Sequence, residues 1–422
     1  TDLVHIAVLD KSASENLHLV GIMGDGRRLF LSTFSYGYYS GRAMPRPSEL
    51  RVKYVMRAPD RPPFGSHKGV FGVGSPNRSH SESLVVEYAF CKEGLYLFSC
   101  EADDHSHTQL LLTSKDFTLG AHAESSSDIV ESVTMELIRG HICAIAEMEP
   151  PAILKQTVQV KGDLYGNLSE ILHSAMLPAK KFSLVSTSGT LVVEKLRPVD
   201  LLQNLIESGN RDHIRNFFQN YGLAESACMC LIFAASVVRS NSTDADFWLE
   251  ELKTSFGLEA DEAEAVMRVI SKSSFVVEEA RKVFSDPDFT GRPVQAEDSL
   301  GGISSPMNSS FDMGGPREPT IKFSARHDGF ALLAARLLRP VWDIGVFSID
   351  NKGGKAEYTL AMNIKSMRLL EERISALVQY MIEFTHHQEY ILSEDARGYM
   401  SENGRRTRQR VEITMAKEQG CI

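Results

Sequence analysis

The chain has 422 residues, of which 43% are hydrophobic and 24% charged, with a formal net charge of −10. That is globular composition; it excludes collagen-like, wholly disordered and membrane-spanning classes. The charge is −3 up to Leu196 and −7 beyond it, so neither half is a basic platform for nucleic acid.

The first residue is Thr1, the last two are Cys421 and Ile422, and no signal-like apolar segment opens the chain, which reads as a piece of a longer protein. Cys91, Cys100, Cys143, Cys228, Cys230 and Cys421 form no C-x-x-C pair and no regular spacing. Neither a disulfide framework nor a zinc ribbon follows, and a reducing compartment fits best. The longest apolar stretch, Ala227 to Val238, is 12 residues, short of the roughly 18 to 20 that cross a bilayer.

From Leu3 to Leu196 the hydrophobic period is two. Strand-length segments recur at 3–9, 17–23, 29–32, 50–56, 84–90, 95–100, 108–113, 133–138, 141–146, 182–186 and 191–196. Gly24-Asp25-Gly26 and Thr187-Ser188-Gly189 supply hairpin chemistry between neighbours. An antiparallel meander of about eleven strands fits a sandwich, a barrel or part of a β-propeller. At four strands and roughly 40 to 45 residues per blade, 196 residues make three to four blades, an open stretch of a ring with exposed edges.

After Leu196 the period becomes 3.6. Pro198 opens a helix carrying Val199, Leu202, Leu205 and Ile206 and closed by Gly209; Ile214, Phe217 and Phe218 mark a second that ends near Gly222. A third, about 223 to 239, is apolar almost all round and is expected to be buried. Trp248, Leu252 and Phe256 after Thr243, then Ala263, Val266, Met267 and Ile270, then Val276, Ala280, Val283 and Phe284 continue the pattern. Short helices with tight breaks predict an α-solenoid. Residues 286–320 hold five Gly, five Pro and five Ser, a composition expected to stay disordered. Helices resume with Phe330, Leu333, Leu337 and Leu338 before Pro340, and a long one from about Asn363 to Leu392 presents Ile364, Met367, Leu370, Ile374, Leu377, Met381 and Phe384 as one seam.

The search for chemistry returns little. Asp103-Asp104-His105-Ser106-His107 reads as a solvated loop, and His386, His387 and Glu389 lack the spacing that puts two imidazoles on one helix face. Gly69 to Gly74 has the wrong order for a phosphate cradle and no Walker lysine, and no G-x-S-x-G elbow occurs. Trp342-Asp343 falls in the helical half, where core packing of Trp342 is the better reading than a WD repeat. Phe64-Gly65 and Phe71-Gly72 are too few for a Phe-Gly repeat domain, and Arg397, Arg405, Arg406, Arg408 and Arg410 read as a solvated helix face. Catalytic, cofactor and metal residues are therefore expected to be none. Ser305-Pro306 is a proline-directed phosphorylation motif in the low-complexity segment, and Ser305 is the one modification site the sequence offers.

At the strand-to-helix junction, Phe182 to Ser186, Gly189, Leu196-Arg197-Pro198-Val199-Asp200, Leu201-Leu202, Phe217-Phe218 and Ala227 to Leu231 resemble the propeller-to-solenoid junction of the nucleoporin 155 / nucleoporin 170 family. Asp25-Gly26-Arg27-Arg28-Leu29, Ile321 to Gly329 and Leu337 to Asp343 match in the same order. The resemblance covers about residues 1 to 392. It implies a β-then-α chain: 1–196, the C-terminal blades of an N-terminal β-propeller; 197–285, the first α-solenoid helices; 286–320, a disordered Gly/Pro/Ser-rich insertion; 321–422, continued α-helical solenoid. It further implies a non-enzymatic scaffold of the nuclear-pore inner ring, at the nuclear envelope in the nucleus. Its partners would be other inner-ring nucleoporins and their linear linker segments, together with pore-membrane proteins and the nuclear membrane. No cofactor, specific nucleic acid or small-molecule substrate is implied. A vesicle-coat or membrane-tethering subunit is the alternative with the same architecture, and a hydrolase hidden in the β half is a third reading that would need an active-site group the motifs do not supply.

Overall fold

The computed structural model describes residues 2–9, 14, 16–33, 49–59, 84–102, 106–115, 131–158, 169–239, 242–291, 294–295, 321–322, 324–344, 347–352 and 355–395. Two compact units emerge: Thr1–Glu149 with Gly162–Ile171 and Ala179–Leu196, and Pro150–Lys161 with Leu172–Pro178 and Arg197–Ile422.

Among the described residues, eleven antiparallel strands build the first unit. β1 (Leu3–Val8), β2 (Leu19–Met23), β3 (Arg28–Ser32) and β4 (Arg51–Met56) pair in chain order as one four-stranded sheet. β5 (Val86–Lys92), β6 (Leu95–Glu101), β7 (His107–Lys115) and β8 (Glu131–Arg139) repeat that meander, and β9 (Ile142–Met148), β10 (Lys181–Ser186) and β11 (Gly189–Glu194) form a third sheet of three. Each sits on one of the segments that alternation predicts. Between β5 and β6 the chain reverses at Glu93 and Gly94 with φ of 50° and 76°, the two positive values that a type I′ hairpin turn requires and whose twist suits the flanking strands.

The sheets stack face to face, with β1 beside β5 and β5 beside β9. One core lies between the first two sheets: Val20 and Ile22 pack with Val86, Tyr96, Phe98, Cys100 and Leu111. A second lies between the second and third, where Leu95, Leu97, Leu110 and Ile138 meet Ile142, Ile145, Phe182 and Leu184. β6 feeds both cores, Tyr96, Phe98 and Cys100 on one side and Leu95 and Leu97 on the other. Burial on both faces is why its sequence, Leu-Tyr-Leu-Phe-Ser-Cys, is apolar nearly throughout instead of alternating.

One charge pair is enclosed between the first two sheets. Arg28 on β3 has no solvent exposure. Its Nη2 donates to Glu131 on β8 at 2.7 Å and to the Arg57 carbonyl at 2.8 Å, and its Nη1 donates to the other Glu131 oxygen. Thr113 adds a hydroxyl donor to Glu131 at 2.9 Å, and the guanidinium carbon lies 4.8 Å from the Tyr96 ring centre. The fork geometry and the aromatic face offset the cost of taking both ions out of water.

α1 (Ala152–Gln156) and α2 (Ser169–His173) interrupt the third sheet in sequence; α1 groups with the helices of the second unit, and the division between the units falls within α2, after Ile171. α3 (Pro198–Ser208), α4 (Arg211–Tyr221) and α5 (Leu223–Ala234) follow, then β12 (Val237–Arg239), α6 (Ser242–Ser255), α7 (Ala260–Ile270), β13 (Ser271–Ser273), α8 (Ser274–Ser285), α9 (Pro287–Thr290), β14 (Val294–Gln295), β15 (Ile321–Lys322), α10 (Ala325–Ile344), β16 (Phe347–Lys352), β17 (Lys355–Leu360) and α11 (Ile364–Asp395). Pro198 at the first helical position and Gly209 at φ 66° bound α3 as expected, and the Asn210 side chain caps α4 through the Asp212 and His213 amides. β12 pairs in parallel with β13, tying the segment after α5 to the one after α7.

α5 is the centre of this unit. Residues 226–234 are all buried, as all-round hydrophobicity predicts, and α8 and α10 pack on it. α10 approaches so closely at Gly329 that a Cβ there would stand 2.8 Å from both Ala227 Cβ and the Cys228 amide nitrogen. Further along, Arg336 pairs with Glu225 through bonds of 2.6 and 2.7 Å.

Four expectations change. The helix predicted to run to about 239 ends at Ala234, because 237–239 join a parallel strand pair. Residues 287–290, counted with the low-complexity insertion, form a capped helical turn with Phe289 buried and Asp286 accepting the Asp288 amide; 296–320 lie outside the described residues. α10 does not stop at Pro340 but continues to Ile344, losing one backbone donor near its end. Between the two helices expected in 321–422, where the sequence predicts only α-helical solenoid, lies the hairpin β16–β17.

Two substitutions test this packing. Arg28→Met alone should cost about 3–5 kcal/mol, because Glu131 remains buried without its partner, whereas Arg28→Met with Glu131→Leu should recover most of it; equal losses in chemical denaturation for the single and double variants would refute the assignment. Gly329→Ala should cost about 1–3 kcal/mol by forcing α10 off α5, and a thermal melt at or above that of the parent would show that the helices can part freely.

Candidate docking surfaces

The residues singled out for chemistry do not assemble into a site. Ser106 and His107 are described, with Ser106 Oγ 2.8 Å from His107 Nδ1 at the start of β7, while Asp103, Asp104 and His105 lie outside the described residues. The side chains of His386, His387 and Glu389 on α11 also lie outside, as do Gly69 to Gly74, both Phe-Gly pairs, Ser305 and the arginines from Arg397 to Arg410. Among the described residues no group of three or more His, Cys, Asp or Glu side chains could hold a metal ion, and no helix is long and apolar enough to cross a membrane. Burial pushes the Cys91 and Cys228 thiols up to about 12, far from the thiolate a nucleophile needs. A cavity of about 20 Å³ lined by Val158, Leu172, His173, Arg336, Arg339 and Pro340 has room for about one water.

What the structure presents instead is apolar surface. The face of the first sheet that is turned away from the second carries two rows across all four strands, Ile6, Gly21, Leu29 and Val55, then Val8, Leu19, Leu31 and Val52. Ile6 is 56% exposed and Val8 79%. The outer face of the third sheet is mixed, with Ala144, Val185 and Thr190 in one row, Ala146, Ser183 and Val192 in the next, and Met148, Lys181 and Glu194 in a third. Adjoining apolar rows of this extent mark surfaces meant for a protein neighbour.

In the helical unit, Trp342 corrects its sequence reading. It is 86% exposed, not core. Continuing the helix past Pro340 puts it on a stripe with Ala331, Ala335 and Leu338, opposite the buried Leu333 and Leu337. By register, Phe347 and Ile349 share one face of the following hairpin with Leu360 and Tyr358, and Phe347, Tyr358 and Leu360 are exposed.

Arg373 is the buried charge that composition could not reveal. It stands on α11 with Nε and Nη1 unpartnered and Nη2 3.5 Å from the Ile232 carbonyl, and burial pushes its pKa down to about 10. The Leu370, Leu377 and Met381 part of the predicted seam is buried as expected, but Ser366, Leu369, Arg373 and Tyr380 widen it, and Ile364 is exposed.

No family model matches the chain. The chain is 25% identical over 375 residues to the nuclear pore complex protein Nup154 of Drosophila melanogaster, an alignment that covers 80% of this chain and 26% of that protein. Among solved structures it is similar to the Chaetomium thermophilum Nup170 NTD–Nup53 complex, with a TM-score of 0.59 and 16% identity, covering 98% of this chain and 49% of the other. The chain thus spans about a quarter of the fly protein and about half of the solved chain.

Antiparallel sheets followed by helices define a β-then-α chain. The particular similarities, to Nup154 in sequence and to the Nup170 domain in fold, lie in the direction of the nucleoporin 155 / nucleoporin 170 resemblance that the junction motifs carry.

Replacing the unpaired buried charge gives a direct check on the helical unit. Arg373→Met should raise stability by about 1–3 kcal/mol, since an apolar isostere removes a desolvation cost that the one long bond to the Ile232 carbonyl offsets only in part; a lower melting temperature would mean that the guanidinium is satisfied after all.

Proposed function

We propose that this chain serves as a structural scaffold in the inner ring of the nuclear pore, holding its place at the nuclear envelope by binding other nucleoporins and their linear segments, with no catalytic activity. The carrying observation is the stack of meander sheets, the first of which turns an apolar face outward, in a chain of which 80% aligns with Nup154. In this reading the sheets are successive blades of a β-propeller, 1–196, and the outer faces are where further blades of the same kind pack. The helices from 197 onward, with the low-complexity segment between 286 and 320, open an α-solenoid. Both architectures offer long surfaces to extended partners. Nup53, which accompanies the solved Nup170 domain, exemplifies such a partner.

A vesicle-coat or tethering subunit would share the plan, but both named relatives are pore proteins. A tagged full-length protein expressed from its own locus should give a continuous nuclear rim. Endomembrane puncta or a diffuse cytosolic signal would overturn the scaffold reading.

A further inference from the structure

We draw no further inference here: the strongest candidate, the exposed apolar stripe of Ala331, Ala335, Leu338 and Trp342 on α10 together with the Phe347, Tyr358 and Leu360 face of the β16–β17 hairpin that follows it, is an unpartnered surface in a chain that spans about a quarter to a half of its relatives, and nothing in the structure shows what covers it.

Discussion

A sheet that is apolar on both faces has to be covered twice. The second sheet of this chain meets that requirement, with one core on the side of Val20 and Ile22 and another on the side of Phe182 and Leu184. The first sheet meets it on one side only. Covering both faces also removes water from the space between sheets, and a charge left there needs a fixed partner. Arg28 and Glu131 fulfil that condition, and because a guanidinium–carboxylate fork tolerates little sliding, they set how the first two sheets register as well as holding them together.

The helical unit is governed by the same need for cover, met at shorter range. α5 has no polar face along residues 226–234, so it exists as a helix only where neighbours enclose it. α10 encloses it by approaching to the point where only a glycine fits at 329, and the Arg336–Glu225 pair then fixes how far α10 can move along α5. Arg373 shows the limit of the arrangement: a buried cation without a full set of acceptors is a cost carried within the seam.

Much of this was legible in the sequence, and the reasons differ by element. The eleven strands and most helix ends were, because period and turn chemistry are local signals: Gly209, Asn210 and Pro198 act within a residue or two of where they stand. The low-complexity boundary was misplaced because composition averages over a window, whereas Phe289 is held by one burial and one cap. The hairpin β16–β17 had a readable signal, Phe347 and Ile349 alternating before the Gly353-Gly354 pair in the sequence and Tyr358 and Leu360 after it, but the surrounding helical period obscured it. Arg28 and Glu131 stand 103 positions apart. No pattern in one sequence joins them, and Gly329 looks like any helical glycine until its neighbour is known.

The open surface of the β unit sets what can cover it. The outer face of the first sheet presents two rows of side chains four strands wide, and only another sheet of similar width can dry it, since a single extended peptide would leave most of Ile6, Val8, Val52 and Val55 in water. Such a face is therefore suited to a permanent neighbour whose side chains interdigitate with its rows, as those of the second sheet do with Val20 and Ile22 on the opposite side.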